Sequence, residues 1–275
     1  MVRTEELRNI LEMQLCDDYG ITPELLRSKE NIFVTMQKHP EARKWNDRDS
    51  FLKVLSYRNK IVITCKDESM LAFCKKEYTD QKGEWFGKYE ILRSLDHKLA
   101  EYGHKIGDTH HYYIPGKYWE QRYAEHVKEK PADGYTFCLL NAQDILLFRG
   151  DERFSHALSF DKNAPDEMAV AAFDCNQTYD QILSDLPRLI KGMSGVSKDS
   201  RRMWQIGVDV LPSERSKGLA VHLTHSIMKE CMNKNILPFY GTSESHMNSQ
   251  AVAVQSGFIP AFWELHTISI NETCM

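Results

Sequence analysis

The chain has 275 residues, of which 42% are hydrophobic, and this length suits two domains or one enlarged domain. Its formal net charge of −4 argues against broad nucleic-acid binding, which usually needs a basic surface. Its seven cysteines form no Cys-x-x-Cys pair, so we expect free thiols rather than a disulfide framework or a zinc site. The sequence shows no apolar signal segment and no run of membrane-spanning length, so we expect a cytoplasmic protein without a membrane partner.

The first half of the chain alternates between helical and extended patterns. Thr4 can cap a helix that Gly20 ends, and Thr22-Pro23-Glu24 indicates a second helix start, because proline suits the first turn. Patterns typical of a strand, two helices and a strand then follow at residues 61–65, 68–76, 91–102 and 110–114. We predict a mixed α/β domain at residues 1–130 and a connection between the halves at residues 116–134, where lysine, proline and glycine gather.

Four histidines in this half raise the question of a metal site. They are His97, His104, His110 and His111, with Asp108 nearby. Their spacings match no helical His-x-x-x-His or finger pattern, and adjacent histidines on a strand point to opposite faces. We therefore predict no metal.

The second half begins with further extended segments. The patterns predict strands at residues 135–140 and 168–173, a helix near 144–148, and a strand of small residues at 189–197. This last strand is expected to pair as an antiparallel hairpin with the strand that starts at Trp204. The polar run from Asp174 to Asp185 has helical as well as loop character.

The most informative segment runs from Trp204 to Cys231. Apolar and polar residues alternate up to Val210, Pro212 ends the strand, and apolar residues recur at helical spacing from Ala220. The junction is thus a helix N-terminus, whose unpaired N–H groups and positive dipole end favour an anion. Arg215 and Lys217 add positive charge, and Gly218 has no side chain to keep a pyrophosphate away from the backbone.

The spacing Arg215-x-x-Gly218-x-Ala220 after this strand resembles the acetyl-CoA-binding segment of the GNAT N-acetyltransferase superfamily. The resemblance implies that the backbone from Arg215 through Ser216, Lys217, Gly218 and Leu219 to Ala220 holds the cofactor pyrophosphate. It also implies that the strand segment Val208-Asp209-Val210 meets the pantetheine arm, with Val208 facing the thioester carbonyl. Strand alternation turns the Asp209 side chain away from the substrate, toward a role in a turn or in packing.

The order of the C-terminal segments is also similar to that family. A strand at 236–243, a short helix that ends before Gly257-Phe258 and a closing strand at 261–268 follow the loop. The resemblance therefore implies a GNAT-like acyl-CoA N-acyltransferase fold, an α/β fold with a mixed sheet, at residues 131–275. Residues 1–130 would then be a lid, a substrate-selecting domain or a diverged copy of the same unit, although this part has no second phosphate loop.

Two departures from the family pattern bear on catalysis. The family's asparagine at the start of the short helix falls on His246, and the nearest asparagine, Asn248, is the predicted cofactor contact. Ala253 stands where many members carry the tyrosine that protonates the departing thiolate. Candidates for the base that takes the amine proton are Glu264 and His246, with His266 and Glu244 also open.

We thus expect an acetyl-CoA-dependent N-acetyltransferase that transfers the acetyl group directly to an amine of a small-molecule acceptor, with no metal. The alternative is a non-catalytic acyl-CoA-binding module that keeps the loop and has lost the proton-handling residues. A phosphate-binding nucleotidase is disfavoured, because no carboxylate pair with metal spacing accompanies the loop. A homodimer is left open.

Overall fold

The computed structural model describes residues 4–44, 50–178, 181–182 and 185–272. The helices in these ranges are α1 (Thr4–Tyr19), α2 (Pro23–Arg27), α3 (Glu68–Tyr78), α4 (Tyr89–Ala100), α5 (Trp119–Glu129), α6 (Ala142–Ile145), α7 (Leu186–Leu189), α8 (Leu219–Asn233) and α9 (Met247–Gln255). The strands are β1 (Ile32–Thr35), β2 (Leu52–Tyr57), β3 (Lys60–Cys65), β4 (His104–Pro115), β5 (Tyr135–Asn141), β6 (Asp166–Asp174), β7 (Gly192–Ser197), β8 (Met203–Val210), β9 (Leu237–Thr242) and β10 (Phe258–Ser269). The predicted mixed α/β class is confirmed.

Contacts divide the chain into two compact units. The first unit holds the described residues of 1–8, 113–241 and 246–259. The second holds those of 9–112, 242–245 and 260–275, so the C-terminal strand belongs mainly with the N-terminal half. This division differs from the predicted domain boundary at residue 130, which stays a prediction.

The second unit is built around strands in the order β1-β3-β2-β10-β4. Arg58 and Asn59 join β2 to β3 with positive φ angles of 51° and 63°, the conformation that a tight two-residue hairpin requires. Every residue of β3 is buried, which is typical of a strand covered on both faces. Asp67 caps α3 by accepting a hydrogen bond from the Met70 N–H at 2.8 Å.

The first unit contains strands in the order β9-β8-β7-β6-β5. Strands β5 to β8 are antiparallel neighbours, whereas β8 and β9 are parallel and α8 connects them. One face of α8 is apolar and buried, with Leu223 and Ile227 fully inaccessible to solvent. This strand-loop-helix-strand unit carries the predicted phosphate loop.

The predicted elements can be compared with the structure in both halves. Helices α3 and α4 and strands β3, β5, β6, β8 and β9 are confirmed within a few residues at their ends. The connection predicted at 116–134 was wrong, because it contains the 11-residue helix α5. Strand β7 begins at Gly192, after a short helix, and β1 and β2 were not predicted. Part of the polar run from 174 to 185 lies outside the described residues.

Candidate functional site

The edge of β8 that faces β9 opens before the strand ends. Pairing of β8 with β7 continues as far as Val210, which lies opposite Gly192. Pairing with β9 extends only from Met203 to Ile206, so the described strands diverge from Gly207 onward. The backbone of β8 from Gly207 to Val210 therefore has no pairing with β9.

Hydrogen bonds of β8 show which residues face this opening. The Leu211 N–H donates to the Lys191 carbonyl at 3.0 Å, and the Gly207 carbonyl accepts from the Ser194 Oγ at 2.8 Å. The backbone groups of the odd-numbered residues at this end of β8 therefore point toward β7. Backbone groups alternate along a strand, and those of Val208 and Val210 therefore face the opening. Val208 and Val210 are the two residues for which the resemblance implies backbone contacts with the pantetheine arm.

The backbone groups of Asp209 face β7 instead, and its side chain forms hydrogen bonds to a neighbouring loop. Its carboxylate accepts from the N–H groups of His156 and Ala157 at 2.8 and 2.9 Å and lies 3.0 Å from the His156 Nδ1. Gly207 allows this loop to approach, because a Cβ there would meet the His156 carbonyl oxygen. The Asp209 side chain thus has a packing role, as strand alternation indicated.

The loop after β8 is fixed by a buried carboxylate. Glu214 accepts hydrogen bonds from the Tyr135 hydroxyl at 2.7 Å and the Lys217 Nζ at 2.8 Å. The Lys217 ammonium, followed by the Tyr135 hydroxyl, lowers the pKa of Glu214 to about 2. Lys217 therefore stabilises the conformation of the loop. Arg215 is exposed and makes only a long hydrogen bond, from its Nε to the Val210 carbonyl at 3.4 Å, so its charge is more available to a ligand.

Helix α8 begins without a side-chain cap. Gly218 occupies the N-cap position with a φ of 86°, and Ser216 before it has a φ of 64°. The N–H groups of Gly218, Leu219 and Ala220 donate no hydrogen bond to any other described residue. Such donors at the positive end of a 15-residue helix suit an anion.

The need for glycine at 218 has a further cause that the sequence did not reveal. A Cβ there would lie 2.9 Å from the His126 Nε2 and 3.0 Å from the Lys130 Cβ. Both residues belong to α5 or its C-cap, and the Lys130 Nζ donates to the Ser216 carbonyl at 3.0 Å. The spacing of Trp119, Tyr123 and His126 was the helical signal that could have identified α5.

His246 and Asn248 lie at the start of α9, in the same unit as the loop, and both are exposed. His246 occupies the N-cap position of α9 but makes no side-chain cap. Ala253, at the position of the family's tyrosine, is fully buried. The structure thus offers no acid from that position of the helix.

Glu264, the other catalytic candidate, belongs to the second unit and is fully buried. Its Oε1 accepts from the Arg43 guanidinium at 2.6 Å and from the Tyr19 hydroxyl at 3.0 Å, and Arg43 also donates to Asp18 at 2.6 Å. Burial would raise the pKa of Glu264, but the charges and hydrogen bonds of Arg43 and His266 together outweigh it and lower that pKa to about 2. A carboxylate this acidic has little affinity for a proton at neutral pH.

The remaining expectations concern metals and membranes. Among the described residues, no three His, Cys, Asp or Glu side chains come close enough together to hold a metal ion. His104 instead stacks on Phe51 at 4.2 Å, and the His110 Nδ1 lies 3.1 Å from Asp108. Within the same ranges, no helix combines the length and apolar character needed to cross a bilayer.

Comparisons with known proteins give structural neighbours only. No protein-family model matches the sequence, and no curated protein matches it. A GCN5-related N-acetyltransferase-like protein from Streptococcus suis is similar at 12% identity and a TM-score of 0.43, over 79% of this chain and 84% of its own. A GCN5-related N-acetyltransferase from Kribbella flavida is similar at 14% identity and a TM-score of 0.41, over 66% of each chain. A Salmonella typhimurium protein, solved with its cofactor acetyl-CoA, is similar at 11% identity and a TM-score of 0.34, over 52% of this chain and 97% of its own.

Proposed function

We propose that this protein is an acetyl-CoA-dependent N-acetyltransferase that transfers an acetyl group directly to an amine of a small-molecule acceptor. The observation that carries the proposal is the divergence of β8 from β9 immediately before the uncapped start of α8. One extended ligand with an anionic end and an amide-containing arm satisfies both features. Acetyl-CoA has this chemistry.

The residues of the first unit would divide the binding task. The N–H groups of Gly218, Leu219 and Ala220, with Arg215, would hold the pyrophosphate. The backbone groups of Val208 and Val210 would pair with amides of the pantetheine arm. The Val208 N–H would also donate to the thioester oxygen, where negative charge develops as the amine nitrogen attacks. Exposed Asn248 would add a further polar contact to the cofactor.

Proton handling follows from the chemistry of the transfer. The acceptor ammonium must lose a proton before attack. The new C–N bond forms as the C–S bond breaks, and the attacking nitrogen then gives up a second proton to solvent or to the departing thiolate. The thiolate leaves without an obligatory acid because its conjugate thiol has a pKa of about 8.5. His246 would be the base that takes the proton from the acceptor ammonium, since imidazole is the side chain suited to exchange protons near neutral pH. Glu264, held as an ion pair by Arg43, is better suited to support the structure than to accept a proton.

Thermal unfolding with and without acetyl-CoA tests the binding part. Acetyl-CoA at one hundred times its dissociation constant should stabilise the folded protein by about 2.7 kcal/mol. Arg215→Glu should weaken this effect, whereas Arg93→Glu, the same charge reversal on the exposed face of α4, should leave it unchanged. Substitution of Gly218 is a poorer test, because any Cβ would also collide with α5. No stabilisation at millimolar acetyl-CoA would contradict the proposal.

Release of CoA in the presence of amines tests the catalytic part. Turnover with at least one amine, reduced in His246→Ala, would support the enzyme. Buried Ala253 keeps the non-catalytic acyl-CoA-binding module as the second candidate, because it removes the thiolate acid found at that position in the family. That module would bind acetyl-CoA normally and release no CoA with any amine.

A further inference from the structure

Helix α5 lies against the first turn of α8, where it borders the proposed anion site. His126 is only 7% exposed, and its Nε2 has no hydrogen bond of acceptable geometry among the described residues. That nitrogen points at Gly218, 2.9 Å from where a Cβ would stand. A buried ring nitrogen without a good partner is costly, so its place beside a row of N–H donors calls for a ligand that accepts from both.

The neighbouring His222, by contrast, has a partner at each ring nitrogen. Its Nε2 lies 2.8 Å from the Lys130 carbonyl oxygen and its Nδ1 lies 2.9 Å from the Tyr123 hydroxyl. A carbonyl can only accept, so Nε2 carries the hydrogen and Nδ1 accepts from Tyr123. Both nitrogens of the neutral ring are therefore satisfied, which leaves His126 as the histidine able to respond to an anion.

The charged and titratable groups around His126 come from three elements. Glu129 lies on α5 and Lys130 is its C-cap, α8 contributes the His222 ring at 5.2 Å, and the loop contributes the backbone of Gly218. Burial first, and then His222, lower the pKa of His126, while the Gly218 backbone acts in the opposite direction. Burial and His222 thus favour the neutral form of the ring in the absence of a ligand.

We propose that α5 forms a second wall of the pyrophosphate site, in which His126 takes up a proton from solvent when the anion binds and Lys130 supplies a fixed positive charge. This inference rests on the proposed function and adds a pH dependence to it. Two phosphate charges next to the ring favour the imidazolium, and the Lys130 ammonium already lies at the Ser216 carbonyl, within the loop.

The direction of the pH effect follows from linkage. A bound anion raises the pKa of His126 above its value in the free protein, so binding tightens as the pH falls through the interval between the two values. The gain in affinity is about tenfold for each unit that separates them. Above this interval His126 contributes little, and Lys130 remains.

Calorimetric titration with acetyl-CoA at pH 8 and pH 6, in buffers of different ionisation enthalpy, measures proton uptake directly. The phosphates of the ligand contribute equally for every protein variant, so the difference between the wild type and His126→Gln isolates His126. We expect this variant to lose proton uptake and to lose affinity mainly at pH 6. His97→Gln, the same change at an exposed position on α4, should behave like the wild type.

Equal proton uptake by the wild type and His126→Gln would overturn the inference while leaving the proposed function standing. Absence of acetyl-CoA binding at both pH values would overturn both. Should His126→Gln fail to fold, Lys130→Gln gives an independent test, since it should weaken binding several-fold at pH 8 relative to Lys128→Gln on the exposed end of the same helix. Equal affinities of these two lysine variants would refute the second wall.

Discussion

Glu264→Gln should destabilise the protein through the buried ion pair with Arg43. Glutamine keeps the size of the side chain and an oxygen that can accept from Tyr19, but it removes the negative charge. Arg43 would keep its 2.6 Å ion pair with Asp18 but lose the charge of Glu264, inside a site that excludes water. A buried cation that loses part of its compensation is costly.

The magnitude follows from the protonation of Glu264. Its pKa falls from an ordinary 4.5 to about 2 on folding, which corresponds to about 3 kcal/mol of stability at pH 7. Removal of one partner from a buried ion pair lowers the free energy of unfolding by a similar amount, roughly 3–5 kcal/mol. Because the folded-state pKa is lowered, this contribution is complete above pH 4.5 and is lost as the pH falls toward 2, so less than half should remain at about pH 3.

Urea unfolding of the wild type and Glu264→Gln at pH 7 and pH 3 measures this difference. The free energies of unfolding should differ by about 3 kcal/mol at pH 7 and by less than half of that at pH 3. Glu272→Gln, the same change at an exposed position, should have no effect at either pH. A cost below about 1 kcal/mol at pH 7, or a cost that does not depend on pH, would refute the reasoning.

Two further predictions concern packing and thiol reactivity. Gly207→Ala should lower the melting temperature markedly, because the new Cβ would meet the His156 carbonyl oxygen. Gly134→Ala should leave the melting temperature nearly unchanged, because a Cβ there meets nothing within 4 Å. Equal melting temperatures for the two variants would contradict the close contact at Gly207. A thiol reagent should label exposed Cys175 in the native protein and reach Cys74 only after unfolding, because burial raises the pKa of the Cys74 thiol to about 12. Peptide mass spectrometry before and after unfolding checks this order, and early labelling of Cys74 would disprove it.

The strand-loop-helix segment could be predicted from sequence because its signals are local. Alternation in β8, Pro212 at its end and helical spacing in α8 each depend on neighbours within a few residues. The position of the loop at the start of α8 followed directly from these patterns. Whether the loop binds the predicted ligand stays a prediction.

Other features of the candidate site depended on contacts between distant parts of the chain. The divergence of β8 from β9 is a property of strand pairing, and α5 meets Gly218 from about 90 residues away along the sequence. Glu264 had the residue type of a base, but Arg43, 221 residues earlier, makes it a poor one. Sequence alone determined most of the local elements, since backbone conformation responds to near neighbours, but it did not identify α5, β1 or β2. Only the tertiary structure decided which polar groups are exposed, paired or buried, because burial and charge pairing are set by residues that folding brings together.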